Sequence, residues 1–188
     1  SQARLPALHS QQLQSVLEKF LASPKRLSDL QGEYMSTEMW NETNAQKEGT
    51  ICRDTGFAPE LTEQVLSGPH FYVSSPLYKT PRAVCTEKGH YDCLDLSNLP
   101  ADYRPRTNYR RALSHSEYLA RIPRVPWEDN KPVTLYHRAL SRTMLSQAGE
   151  RTLITTIIPP GVGHIDLGFS LLFKDSITTS SVVGFFSS

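Results

Sequence analysis

Apolar positions in this chain recur at helical spacing near the N-terminus and in alternating or continuous runs toward the C-terminus. In SQQLQSVLEKFLA, residues 10–22, Leu13, Val16, Leu17 and Phe20 share one helical face. Ser10 is placed to cap it and Ser23-Pro24 to stop it, which predicts an amphipathic helix. PHFYVSSPLYK, residues 69–79, mixes aromatic and β-branched residues around Ser-Ser-Pro and predicts a strand broken by a turn. YDCLDL, residues 91–96, alternates as a short strand, and residues 133–146 read as a helix with Leu135, Ala139 and Met144 among its apolar positions. Beyond them the pattern is β-rich, with strands predicted at 152–158, around 165–173 and at 177–186.

These elements predict an α+β fold: a helical N-terminal section, residues 1–66, packed on a mixed, mainly antiparallel sheet. The sheet is expected to draw its strands chiefly from 69–96 and 152–186, within a β-rich section spanning 67–188. A length of 188 residues suits one such domain. The stretch ERTLITTIIPPGVGH, residues 150–164, is the least ordinary. Pro159-Pro160-Gly161 should end the preceding strand with a fixed bend, because proline donates nothing to a ladder. Gly161 and Gly163 should permit backbone angles or approaches that a side chain would forbid.

Composition narrows the class. An apolar content of 38% and a charged content of 21% are those of a globular chain, and 13 prolines predict many loops. No stretch reaches the roughly 20 apolar residues that a transmembrane helix needs, and the N-terminus lacks the design of a signal peptide. Cys52, Cys85 and Cys93 are odd in number and unevenly spaced, which predicts a reducing, cytoplasmic compartment rather than a disulfide framework. The closing run VVGFFSS, read as a strand, predicts a piece of a longer protein.

The net charge of +1 hides a segregation. Residues 29–63 carry eight acids against two bases, and such a segment is expected either to face away from nucleic acid or to be a solvated surface. Residues 101–142 carry nine bases against four acids. There Arg104, Arg106, Arg110, Arg111, Arg121 and Arg124 are interleaved with Tyr103, Tyr109, His115, Tyr118 and Trp127. Arginine forks bind phosphate or guanine edges bidentately, and aromatic rings stack or wedge, so the stretch is a candidate nucleic-acid surface. Its alternative is a solvated face whose arginines pair with the acidic segment.

Other constellations are thinner. Cys85, His90 and Cys93 offer three of the four ligands that a structural zinc site needs. Asp129 and Lys131 have the acid-x-lysine spacing of metal-dependent nucleases, and a turn explains the same residues. Ser75-Pro76-Leu77-Tyr78 is similar to the catalytic loop of amino-group DNA methyltransferases, where a polar residue and an aromatic hold a flipped base, but Leu77 replaces the second proline. There is no Gly-x-Ser-x-Gly elbow and no phosphate-binding glycine loop.

The segments FYVSSPLYKTPR, YDCLDLSNLPADYRPRTNY, RIPRVPW and above all ERTLITTIIPPGVGHID resemble the C-terminal part of large adenine-specific DNA methyltransferases of fused restriction–modification and phage-resistance systems. The resemblance spans roughly residues 67–175 and is most specific over 150–164. It implies a target-recognition domain that reads double-stranded DNA for a methyltransferase catalytic domain elsewhere in the same chain. S-adenosylmethionine would then belong to the parent protein, because this sequence has neither the glycine-rich cofactor motif nor an intact Pro-Pro-aromatic loop, and no catalytic residue is assigned here. Besides the six arginines, the expected DNA contacts are Tyr109, Trp127, Arg151 and His164, with scaffold as the alternative role for the last two. Two rivals stand beside this reading: a module that docks on a catalytic core, and a metal-dependent nuclease.

Overall fold

The computed structural model describes residues 11–24, 26–87, 89–129, 131–145 and 153–188. They form two units, divided between Gln31 and Gly32. The first contains the helix predicted from the sequence, α1 (Gln11–Leu21), and a single 3-10 turn at Leu27–Leu30.

The second unit, Gly32–Ser188, carries the rest of the structure. In chain order it holds β1 (Tyr34–Thr37), α2 (Glu42–Lys47), β2 (Ile51–Phe57), β3 (Gln64–Leu66), β4 (Lys79–Pro81), β5 (Tyr91–Cys93) and β6 (Arg106–Arg111). Then follow α3 (His115–Arg121), β7 (Arg138–Arg142), β8 (Thr155–Ile158), β9 (Gly163–His164), β10 (Gly168–Phe173) and α4 (Ser176–Ser187). The fold is α+β. One four-stranded sheet, in the order β1-β10-β7-β8, is antiparallel throughout. A second, β2-β6-β3-β9, is antiparallel except for the parallel pair β3 and β9, and β4 with β5 forms a small hairpin sheet.

Residues 34–66 are not a helical section. They supply β1 to the first sheet and both β2 and β3 to the second, where β3 lies between β6 and β9. A boundary at residue 66 would cut a sheet in two.

Three sequence expectations change type. The helix expected over 133–146 is a 3-10 turn at Val133–Leu135 followed by strand β7. β7 sits inside its sheet between β10 and β8, and four of its five residues are buried. A strand covered on both faces loses the alternation that identifies strands. Leu135 and Met144, read as apolar positions of that helix, are both exposed. The strand expected over 177–186 is helix α4. Asp175 caps it, accepting from the N–H groups of Ile177 at 3.1 Å and Thr178 at 3.0 Å, and the buried positions Thr179 and Val183 recur at i, i+4. Here capping and one buried face override the β propensity of the Thr, Val and Phe residues. Within 69–79 the chain makes a 3-10 turn at Gly68–His70 and a tight turn closed by Tyr72 and Ser75, and only β4 is a strand.

Two buried clusters make the core. One gathers Trp40, Ile51, Val65, Tyr109, Tyr118, Ile122, Val133, Ile165 and Leu172, and the other Leu66, Phe71, Leu140, Ile154, Ile158 and Val162. No helix among the described residues is long and apolar enough to cross a membrane.

Candidate functional site

The basic stretch is folded into the protein rather than laid out on it. Antiparallel pairing of β2 with β6 sets Cys52 opposite Arg110, which brings the acidic and basic segments side by side. Arg110 pairs with Asp54 at 3.0 Å, and Arg111 reaches Glu63 at 3.4 Å while donating to His115 Nδ1 at 2.7 Å. The others find carbonyls: Arg104 donates to Pro59, Arg106 to Pro81 at 3.3 Å, Arg121 to Glu48 at 3.2 Å and Arg124 to Leu119 at 2.8 Å. Arg106 also lies 5.0 Å from the centroid of the Phe57 ring. At Arg110 and Arg111 the acidic segment supplies the counter-charge.

Two of the aromatic and polar candidates, Tyr109 and His164, are core residues. Tyr109 is 4% exposed and donates its hydroxyl to Glu42, and burial together with that carboxylate pushes its pKa up. Its ring is packed in the first core cluster and cannot stack on a base. Trp127 is half-buried, edge-on to Tyr136 at 5.7 Å. Arg151 lies outside the described residues, as do Glu150 and Thr152 of the motif ERTL.

The turn after β8 now has a physical reason. β8 is an edge strand of the first sheet and β9 an edge strand of the second, so residues 159–162 carry the chain from one sheet to the other. Gly161 has φ +90°, which only glycine adopts without strain, and its N–H donates to Thr134 at 2.7 Å. At Gly163 a Cβ would stand 2.7 Å from the Tyr118 hydroxyl, so no side chain fits. That hydroxyl accepts from Trp40 Nε1 at 2.8 Å. His164 is 1% exposed and ties the two sheets together: its Nε2 is 2.9 Å from Ser170 Oγ on β10 and its Nδ1 is 3.1 Å from the Ile165 carbonyl. Burial, and then the nearby Arg138 cation, hold its pKa down at about 3. Arg138 is itself fully buried, donating to the Val162 carbonyl and pointing a second N–H at Met39 Sδ, 3.7 Å away. His164 is therefore scaffold, and direct DNA contact by its ring is excluded by its burial.

What the fold does bring together is a cleft of about 680 Å³ to which all three sheets contribute. β2 supplies Arg53, β6 supplies Asn108 and Tyr109, and Ser67 and Gly68 follow β3. Tyr78, Lys79 and Tyr91 come from the small hairpin sheet and its approach, and Arg142 from the end of β7. The polar side is pre-ordered: Asn108 Nδ2 donates to Tyr91 Oη at 2.7 Å, Ser67 Oγ lies 3.0 Å from the same oxygen, and Thr55 donates to Asn108 Oδ1 at 3.0 Å. Burial pushes the Tyr91 hydroxyl up, so it stays protonated at neutral pH. Three cations and two carboxylates, Glu42 and Glu87, line this space. Arg53 donates to the Cys85 carbonyl at 2.8 Å and lies 5.9 Å from the Tyr109 centroid, and Lys79 lies 5.3 Å from the Tyr78 centroid. Arg142 Nε is buried and bonds nothing among the described residues, as is true of Arg110 Nε and Arg138 Nε. A Cβ on Gly68 would sit 3.5 Å from that Nε and 3.2 Å from the Leu167 carbonyl, so this glycine lets the backbone pass close beneath the guanidinium.

Of the expected contacts among the described residues, only Tyr109 lines this cleft. Arg53 was hidden in the acidic segment, and Arg142 lay at the end of the expected helix. Tyr78 belongs to the segment SPLY, the one local signal pointing here, although Ser75 Oγ is spent on the Leu77 carbonyl at 3.0 Å.

The other constellations do not assemble. The three cysteines are free, and no group of three His, Cys, Asp or Glu among the described residues is arranged to hold a metal ion. Lys131 pairs with Glu128, which also accepts from Tyr136, so Lys131 is held by Glu128. The direct strand-to-helix turns, at 38–41, 112–114 and 174–175, contain no glycine, so the described residues do not fit S-adenosylmethionine in a glycine-rich turn. Comparison with known proteins finds no matching family profile, no matching curated protein and no matching solved structure.

Proposed function

We propose that this chain is a double-stranded DNA recognition domain of a cytoplasmic, S-adenosylmethionine-dependent adenine DNA methyltransferase, with the cofactor and the catalytic residues supplied by another part of the parent protein. The observation that carries the reading is the cleft, where Arg53, Lys79 and Arg142 converge with Tyr78 and Tyr91. Guanidinium and ammonium groups gathered in one cleft suit an anionic ligand. The resemblance of residues 67–175 to the recognition part of such enzymes supports the same reading.

The test is duplex binding by the full-length protein across a range of salt concentrations. A phosphate-contacting cation contributes about 1 to the slope of log K against log salt, so Arg142→Gln and Lys79→Gln should each reduce that slope by about 1. Unchanged slopes in both variants would remove the cleft from the DNA surface.

A second reading has one observation in its favour. An apolar groove of about 750 Å³ runs between α3 and the turn at Pro160-Gly161, with Leu61 and Leu135 exposed on it. Such a surface suits docking of the parent's catalytic domain by apolar contact. Salt-insensitive association with that domain, weakened by Leu135→Asp, would identify it.

A further inference from the structure

We propose that the cleft is built for a single nucleotide unit, a nucleoside phosphate, and not for the flank of an intact duplex. The inference deepens the DNA reading for the source of the nucleotide, but the recognition chemistry is shared by a free nucleotide and an unstacked nucleotide of a strand. At about 680 Å³ the cleft has the size of a small-ligand site, large enough for one nucleotide and too small for stacked base pairs. Its two halves match the two halves of such a ligand. Arg142 brings a guanidinium to the lining, and Gly68 leaves the backbone beneath it without a side chain. Tyr78 offers an aromatic wall beside Lys79, and the bonded group of Tyr91, Asn108 and Ser67 offers fixed polar atoms to a base edge. Arginine with aromatic faces is the pairing that takes a phosphate and a flat ring together. Asn108 uses one N–H on Tyr91 and accepts from Thr55 at its carbonyl, which fixes the orientation of its amide.

The experiment titrates the 188-residue chain with adenosine monophosphate, inorganic phosphate, a short single-stranded oligonucleotide and a blunt duplex, using calorimetry on the wild type, Arg142→Gln, Lys79→Gln and Tyr78→Ala. Circular dichroism checks that each variant folds, and Lys79→Gln at a half-buried position keeps the test alive if Arg142→Gln does not. The proposal expects the mononucleotide or the single strand to bind more tightly than the duplex. It also expects Arg142→Gln to weaken that binding about tenfold or more, as the loss of a charge-assisted hydrogen bond does. Tyr78→Ala should weaken the mononucleotide and leave inorganic phosphate unchanged. Mononucleotide binding without any strand or duplex binding would keep the inference and sink the DNA reading. Strand binding without mononucleotide binding would keep both and identify the strand as the source. Phosphate binding as tightly as the mononucleotide, with Tyr78→Ala silent, would reduce the cleft to an anion site and overturn the proposal. Duplex binding tighter than that of the mononucleotide and the single strand, with the salt slope reduced in Arg142→Gln and Lys79→Gln, would overturn it while leaving the DNA reading intact.

Discussion

Lowering the pH from 7.5 to 5 should destabilise this domain through His164. In the fold the ring is buried between the two sheets with its pKa held at about 3, whereas an unfolded histidine titrates near 6.5. Below pH 6.5 the unfolded chain therefore binds a proton that the folded chain excludes, so stability falls as pH falls, and the loss continues until the pH approaches the folded value. One such histidine removes about 1.4 kcal/mol per pH unit, or about 2 kcal/mol by pH 5. His70 adds to it, since burial lowers its pKa as well. Asp95, Glu117, Glu128 and Asp175 are held below their ordinary carboxylate values, so their contributions are lost only at more acid pH and stay outside this window. Urea unfolding at closely spaced pH values reads the slope directly, and a domain of ordinary stability, about 5–15 kcal/mol, tolerates the loss well enough to be measured. His164→Gln should cost stability at pH 7.5 and flatten the pH slope by close to one proton. A variant with the wild-type slope, or a wild type insensitive to pH between 7.5 and 5, would refute the buried, neutral histidine.

Three further outcomes follow from the same contacts. Gly163→Ala places a Cβ where the rigid Tyr118 ring ends and should destabilise by about 1–3 kcal/mol, so an unchanged urea midpoint would contradict the close approach. Arg138→Met removes the cation that helps depress His164, and the His164 titration followed by NMR should move upward; a downward or absent shift would contradict that coupling. Arg110→Ala breaks a half-exposed ion pair with Asp54, which should cost no more than about 1 kcal/mol and leave the salt slope of duplex binding in place. A reduced slope would return Arg110 to the DNA surface.

Much of the framework was legible from local signals. The spacing of Leu13, Val16, Leu17 and Phe20 marks α1, and Pro-Pro-Gly marks the end of β8 because proline and left-handed glycine leave few alternatives. The α+β class follows from the same periodicities. What failed were segments whose environment decides their state. β7 is buried on both faces and so has no alternation, and α4 is β-branched and aromatic yet is started by Asp175 and held by Thr179 and Val183. The candidate site failed for a different reason. Counting arginines between 101 and 142 finds charge, but pairing across β2 and β6 neutralises part of it, while the convergence of Arg53, Lys79 and Arg142 depends on strands far apart in sequence. His164 stood out in the motif because it joins two sheets, which is a scaffold reason and gives a sequence pattern no simpler than that of a binding residue.

The measurement that bears most directly on the central claim is a map of modified adenines in DNA from cells expressing the full-length parent protein, set beside one from cells expressing its Arg142→Gln form. The account predicts a single methylated adenine motif with the parent, and its loss or a changed motif with the variant while the protein remains expressed. An expressed, folded parent that leaves no modified motif would contradict the claim that this domain selects DNA targets for methylation.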